Sequence, residues 1–362
     1  MPSPLHIRIH SLRTIFGNQW SEEMRDALAP IVRSFMFSFL ATVFVCSLCI
    51  QGITGILLSL HYSPTSTPTL TADGKPATIV KKNKVILDQE GDTLAIPGEI
   101  VLREAKRNEP NPGMSYLSTI SIQTRSSTAI IRGIHQINTH LLLASLLCLM
   151  LLLIIHLRET RLFKGIWLVL LSLGIFVTLI AWTGYVLPWD TFSSTSYMIV
   201  TGFIEQGLPE SAGIAITSFL GKHQSDSIAR LFALHGIFFP FITISLLWFV
   251  HSLLKPLIVW SNSSIRYAIM IAIVLCGLLF INSNPLLSPS DARIPTIINI
   301  QPAWFFQPLH GVVHSLPADG GMVLIGLAIF SAFALPFISS YAIRMIVLGI
   351  LSLGALYFGI AH

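Results

Sequence analysis

Histidines near the ends of long apolar stretches are the residues of this sequence best suited to chemistry. Within a membrane-spanning helix, an ionisable side chain costs free energy and usually marks a ligand or a transport pathway. Imidazoles from facing helices of a four-helix bundle can bind haem iron from both sides without a covalent link. Two such stretches occur, which are 130–156 with His135, His140 and His156, and 229–255 with His235 and His251. They predict two b-type haems, one near each face of a membrane.

The composition places these stretches in a membrane. Hydrophobic residues make up 53% of the 362 residues and charged residues only 11%, and the mean hydropathy is +0.72. These values lie outside those of soluble domains and predict a multi-pass membrane protein. Each span must be helical, because an isolated strand leaves its backbone polar groups unpaired in lipid. Seven apolar runs are long enough to span a bilayer, and they cover 35–61, 130–156, 162–187, 231–254, 267–281, 322–338 and 342–360.

Charge predicts the orientation of the spans. Basic residues lie in the N-terminal segment and in the connections after the second, fourth and sixth spans, all on one side. By the positive-inside rule that side, with the N-terminus, is cytoplasmic, in a bacterial-type inner membrane or an equivalent energy-transducing membrane. No basic patch is interleaved with aromatic residues, so lipid rather than nucleic acid is the expected partner. The four cysteines all fall within apolar runs and support no disulfide framework.

Segments outside the spans predict smaller elements. Residues 1–33 have the pattern of an interfacial helix that leads into the first span. Within a polar insertion at 63–125, the alternating stretches ATIVKKNKVILDQ and DTLAIPGEIVL predict an external β-hairpin. Pro188 and Trp189 end the third span, and the polar, aromatic sequence after them is typical of short amphipathic helices on the membrane surface.

Four ordered motifs resemble those of the cytochrome b family of quinol:cytochrome c oxidoreductase (bc) complexes. They are QGITGILLSLHYSPT, GYVLPWD, ARLFALHGIFFP and PAWFFQPLHGVVHSLP, the last similar to the family's PEWY segment. The resemblance implies an all-α membrane protein of seven spans, with a four-helix di-haem domain over 34–62 and 126–257. A three-helix C-terminal domain at 258–362 looks like subunit IV of the chloroplast-type complex, here joined to the cytochrome in one chain.

The resemblance also implies a function as a subunit of a redox enzyme. Quinol is expected to dock on the positive side, in a pocket that includes Pro302, Ala303, Trp304 and Phe305. One electron then leaves to a Rieske-type iron–sulfur protein and on to cytochrome c or an equivalent acceptor. The other crosses through the two haems to a second quinone near the cytoplasmic face, which contributes to proton translocation. Complexes of this kind are homodimeric.

Assignment of the haem ligands by resemblance leaves one choice open. His235 matches the positive-side ligand of the fourth span and His251 the negative-side one. The second span offers His140 or, in an Arg-x-x-His pattern with Arg132, His135. The spacings 251 − 235 = 16 and 156 − 140 = 16 are equal, whereas 156 − 135 = 21 corresponds to roughly 31 Å of helix. Equal spacing favours His140 with His156, and His135 is the alternative to His140.

A sixteen-residue spacing imposes a condition on the helices. Sixteen residues turn through about 1600°, which puts the two histidines of a regular α-helix on nearly opposite faces. A π-helical turn would restore a common face, and Pro240 marks a site for such a distortion in the fourth span. A regular helix from His140 to His156 would count against two haems.

The PEWY-like segment lacks the acidic residue that the family carries there. Ala303 stands where family members carry a glutamate that accepts a proton from quinol. His310 occupies the place of a pocket tyrosine, and an imidazole can accept a proton near neutral pH. We therefore predict His310 as the proton acceptor, with simple hydrogen bonding to a nearby carbonyl as the alternative. Trp304 and Phe305 are expected to shape the pocket wall.

Two other functions fit parts of the pattern. The first is a haem b membrane anchor that exchanges electrons between quinone and a different partner enzyme, which the loss of the glutamate favours. The second is a degenerate scaffold that binds no haem, which the ordered histidines oppose.

Overall fold

The computed structural model describes residues 35–65, 67–81, 84–87, 93–96, 100–105, 113–156, 161–222, 227–254, 266, 270, 271, 274 and 302–360. The interfacial segment predicted for 1–33 and most of the fifth predicted span, 267–281, lie outside these residues.

Helices account for most of the described chain. In order, they are α1 (Phe35–Ser59), α2 (Met114–Thr124), α3 (Ser126–His156), α4 (Arg161–Val186), α5 (Thr191–Gly207), α6 (Glu210–Leu220), α7 (Ser227–Ala233), α8 (Phe239–Leu254), α9 (Gln307–Ser315), α10 (Ala318–Ala334) and α11 (Tyr341–Ile360). A π-turn, Leu234–Phe238, joins α7 to α8 without a break, and a 3₁₀ turn, Leu335–Phe337, follows α10.

Six of the seven predicted spans are confirmed within the described residues. Helical segments long and apolar enough to cross a membrane are Met36–Ser59, Ser127–Ile154, Lys164–Val186, Ser227–His251, Ala318–Phe337 and Tyr341–Ile360. Because their backbone hydrogen bonds are internal, these helices can cross lipid without leaving polar groups unpaired. The chain is therefore a multi-pass membrane protein.

A four-helix bundle is formed by α1, α3, α4 and the continuous α7–π-turn–α8 segment. In the bundle, α1 packs on α3, α3 on α4, and α4 on α8. Buried apolar side chains from all four helices form its core, including Phe44, Leu146, Leu173 and Val250. Polar contacts add to the α1–α3 packing, since the Asn138 amide donates to the Ser47 carbonyl oxygen at 2.6 Å. Such interhelical hydrogen bonds hold membrane helices in register.

The polar insertion contains paired strands, as predicted. Strand β1 (Ala77–Lys81) pairs antiparallel with β4 (Ile100–Glu104), and β2 (Lys84–Leu87) pairs antiparallel with β3 (Thr93–Ile96). The outer strands enclose the inner pair in sequence, which is the connectivity of a hairpin.

The turn after α4 aims the chain into two short helices. Trp189 adopts φ +52°, a left-handed conformation that is uncommon for a bulky residue. Asp190 then caps α5, with its Oδ1 accepting from the Ser193 backbone N–H at 2.8 Å and from its hydroxyl at 2.6 Å. Because the cap satisfies donors that the helix leaves open, it compensates part of the cost of the turn.

The C-terminal helices pack through close backbone contacts. Helix α10 joins the bundle where the Trp167 indole donates to the Ala332 carbonyl oxygen at 2.8 Å. Helix α9 lies so close to α11 that a Cβ added at Gly311 would come within 1.9 Å of the Phe358 carbonyl oxygen. Only glycine permits this approach of two backbones.

We predict that Gly311→Ala destabilises the α9–α11 packing, because the added methyl overlaps backbone that cannot move aside. The cost should be about 1–3 kcal/mol, as for other overpacked sites, measured as a lower midpoint of thermal unfolding in detergent. Gly326→Ala in α10 is the control, since a Cβ there meets no described atom within 4 Å. Equal midpoints for the two variants would contradict the prediction.

Candidate haem site and quinol pocket

Two histidines from different helices face each other inside the bundle. His135 lies in α3 and His235 in the π-turn, with ring centroids 6.2 Å apart and ring planes inclined by 70°. The π-turn ends just before Pro240, so the distortion predicted for the fourth span is confirmed. Helix α3, in contrast, continues as an α-helix from Ser126 to His156.

Hydrogen bonds determine which nitrogen of His235 can bind a metal. Its Nδ1 lies 2.9 Å from the carbonyl oxygen of Ile180, which can only accept, so Nδ1 carries the proton. The Thr183 hydroxyl lies 3.3 Å from the same nitrogen. Nε2 therefore keeps its lone pair, which is the arrangement that metal-binding histidines use.

His135 also carries its proton on Nδ1. Thr54 donates its hydroxyl to the Ile50 carbonyl at 2.7 Å, so its oxygen accepts the Nδ1–H of His135 at 2.9 Å. The Gln51 amide nitrogen lies 3.0 Å from Nε2 of His135 and donates to the lone pair there. Nε2 is thus the unprotonated nitrogen of both rings, and at His135 iron would replace the hydrogen bond from Gln51. A pair of unprotonated imidazole nitrogens from facing helices is a donor set that fits a b-type haem.

Glycines make room for the two rings. A Cβ added at Gly184 in α4 would lie 2.6 Å from Cε1 of His235, and one at Gly55 in α1 would lie 3.3 Å from Cε1 of His135. At the depth of the two imidazole rings, which we call the histidine level, each of the four helices contributes one of these two histidines or two glycines.

The remaining histidines are placed differently. His140 follows His135 by five residues, about 140° around the helix, and its ring lies 5.4 Å from that of Phe305. The structure thus brings His135, the alternative, to His235, and does not bring His140 there. His156 ends α3, and its side chain lies outside the described residues. His251 is exposed on α8.

An aromatic cluster adjoins the histidine level. Tyr185, at the end of α4, has ring centroids 6.4 Å from Phe305, 5.9 Å from Phe306 and 6.4 Å from Phe192. The predicted pocket residues Pro302, Ala303 and Phe305 are partly buried, whereas Trp304 is 42% exposed. Sequence analysis included the GYVLPWD motif but did not single out Tyr185, although this motif contains it.

His310 lies one turn beyond this cluster. It is partly buried in α9, and its ring lies against that of His314, with centroids 4.3 Å apart and ring planes inclined by 51°. His140 contacts the PAWFF segment at Phe305, whereas His310 contacts His314 in the helix that follows the segment.

Tyrosines near this end of the bundle are poor proton acceptors. Burial raises the pKa of Tyr62, whose hydroxyl donates to the Leu187 carbonyl oxygen. Burial, then the Asp190 carboxylate, raises the pKa of Tyr116 to about 12. Burial, then Glu205, raises the pKa of Tyr197 to about 12. These three phenols stay protonated at neutral pH and act as hydrogen-bond donors.

Comparison with known proteins identifies one family over both parts of the chain. Residues 113–258 match Cytochrome b/b6/petB, and residues 289–358 match Cytochrome b(C-terminal)/b6/petD. Cytochrome b of Vicia faba is 27% identical over 370 residues, which cover 93% of this chain and 80% of that protein. Cytochrome b of Bugula neritina is 26% identical over 199 residues, 48% of this chain and 53% of that relative, so this match spans about half of the relative's length.

A solved structure has the same fold. A chain of a structure described as "Hyperthermophilic respiratory Complex III" superposes with a TM-score of 0.60 at 18% identity, covering 90% of this chain and 88% of that one. The two matched parts, the relatives and the shared fold together show that this chain is a multi-pass membrane protein that belongs to the cytochrome b/b6 family of haem-binding electron-transport proteins.

Proposed function

We propose that this chain is the haem b-binding, quinol-oxidising subunit of a complex III-type oxidoreductase. The observation that carries the proposal is the His135–His235 pair, which lies beside an aromatic cluster and in which Nε2 is the unprotonated nitrogen of each ring. The fold shared with a complex III chain supports a Rieske-type iron–sulfur protein and cytochrome c, or an equivalent acceptor, as partners. A homodimeric complex is proposed from the resemblance of the sequence motifs to the family. The N-terminus is proposed to face the cytoplasm.

His135 and His235 are the residues that would hold the haem, and the haem would supply one-electron chemistry. The chain fixes both imidazoles through their Nδ1–H groups, to Thr54 and to the Ile180 carbonyl. Arg132 lies one turn before His135 and offers a positive charge for the acidic groups of a haem.

Quinol is proposed to bind against Tyr185, Phe305 and Phe306. Aromatic side chains suit the flat ring of a quinol, and such pockets are mostly apolar with few polar groups. Ala303 brings no acid to this wall, and burial keeps the phenols of Tyr62 and Tyr197, at the same end of the bundle, protonated at neutral pH. We assign proton acceptance to His310, with His140 as the alternative because its ring contacts Phe305.

Electron transfer across the whole membrane to a second quinone, with proton translocation, would need a second haem. His156 and His251 are the residues that the sequence offers for it. If this second site does not form, the function reduces to the alternative, a haem b anchor that exchanges electrons between quinone and a partner enzyme. A scaffold without haem is opposed by the hydrogen bonding of the two facing imidazoles.

We predict that Gly184→Ala lowers haem content, because the added methyl would lie 2.6 Å from Cε1 of His235 and displace the ring. Haem per purified chain should fall to below about a third of the wild-type value, following an overpacking cost of about 1–3 kcal/mol. Gly174→Ala in the same helix is the matched control, since its Cβ would meet atoms only at 3.9 Å. Full haem content in both variants would argue against His235 as a ligand.

We predict that His310→Phe slows quinol oxidation by about 100-fold or more, the usual contribution of a general base, while haem content stays unchanged. Turnover with a soluble quinol and the haem spectrum are measured on the same preparation. His314→Phe, which changes the exposed neighbour in α9, serves as the control.

His140→Phe separates the two candidate acceptors. A loss of turnover in this variant, with normal rates in His310→Phe, would move the assignment to His140. Loss of the haem spectrum instead would make His140 a ligand.

A further inference from the structure

The buried positions of α3 that share the face of His135 are occupied by leucine. Residues 7, 11, 14 and 18 positions later lie on nearly the same face of an α-helix. In α3 these are Leu142, Leu146, Leu149 and Leu153, and all four are buried. No residue at these positions can bind iron, and His156 lies three residues beyond the last of them, at the end of the helix.

Helix α8 also directs an aliphatic residue, and not a histidine, into the core of the bundle. Val250 in α8 is 8% exposed and belongs to the bundle core, whereas its neighbour Phe249 is 52% exposed and His251 is also exposed. Consecutive residues of an α-helix are about 100° apart around the helix axis, so His251 is rotated by that angle from the inward-facing Val250. His251 therefore lies on a face of α8 that turns away from α3 and α4.

Side chains fill the space between the helices in the half of the bundle nearer the α3–α4 connection, which we call the distal half. One buried cluster there contains Phe44, Leu146, Leu149, Leu170 and Leu173. At Gly174, where an added Cβ would face α3, the nearest atoms are those of Leu146 and Met150, both at 3.9 Å. At the histidine level, in contrast, the glycines of α1 and α4 face imidazole rings.

We propose that this chain binds one b-type haem, between His135 and His235, and that its distal half is an aliphatic core that binds none. The inference rests on the proposed function and limits it. Interiors are close-packed, so a macrocycle could enter the distal half only by displacing several buried leucines at once. The donor set there does not fit the group, because the inward positions are aliphatic and His251 is exposed. On this basis the chain serves quinol chemistry at one membrane face and lacks a haem route to the other.

The test is a haem count on the purified full chain, by pyridine haemochrome absorbance against amino-acid analysis. We expect one haem per chain and a redox titration with a single one-electron component. His156→Ala combined with His251→Ala should keep that haem with an unchanged midpoint potential, and His135→Ala should lose it.

Two haems per chain in the wild type would overturn the inference, as would loss of haem or of a redox component in the His156→Ala, His251→Ala double variant. Both outcomes leave the proposed function standing. A wild-type chain without any haem would overturn the proposed function itself, so the two failures are distinguishable.

Discussion

The approach of two imidazole rings across the bundle is the constraint on which the arrangement of helices depends. A histidine buried among apolar helices needs a partner for its N–H, and the chain provides one for each ring, the Thr54 hydroxyl for His135 and the Ile180 carbonyl for His235. Each partner comes from the helix packed alongside, so all four helices must be in register for both rings to be satisfied. The π-turn at Leu234–Phe238 adjusts that register locally, at His235 itself.

The two halves of the bundle are held by different forces. Around the rings, hydrogen bonds of Gln51, Asn138 and Thr54 join α1 to α3, in a region with glycines on α1 and α4. The distal half has a continuous aliphatic core in which dispersion contacts and close packing dominate. The polar contacts at the two imidazole rings, beside an aliphatic core, are the contrast on which the proposal of a single haem rests. The aromatic cluster around Tyr185 lies at the same end of the bundle as the rings of His135 and His235.

Replacement of the PEWY glutamate changes the acid–base chemistry available to the pocket. A carboxylate at Ala303 would have been a local acceptor, and the phenols of Tyr62 and Tyr197 do not replace it, since burial keeps them protonated. Imidazoles that could accept the proton instead are His140, whose ring contacts Phe305, and His310, in the helix that follows the segment. Proton transfer by imidazole suits neutral pH, so the pocket can work without its carboxylate.

By itself, the sequence determined the membrane class, six of the described spans, the paired strands of the insertion, and the family. These follow from local signals such as run length, alternation and motifs, which act over a few residues. It also located a helix distortion near Pro240, because proline removes a backbone donor. Only the tertiary structure decided that His135 rather than His140 faces His235. Equal spacing within two helices says nothing about their relative rotation, which is set by packing against α1 and α4. The same rotation turns Val250 inward and leaves His251 exposed, a one-residue difference that no spacing rule can resolve.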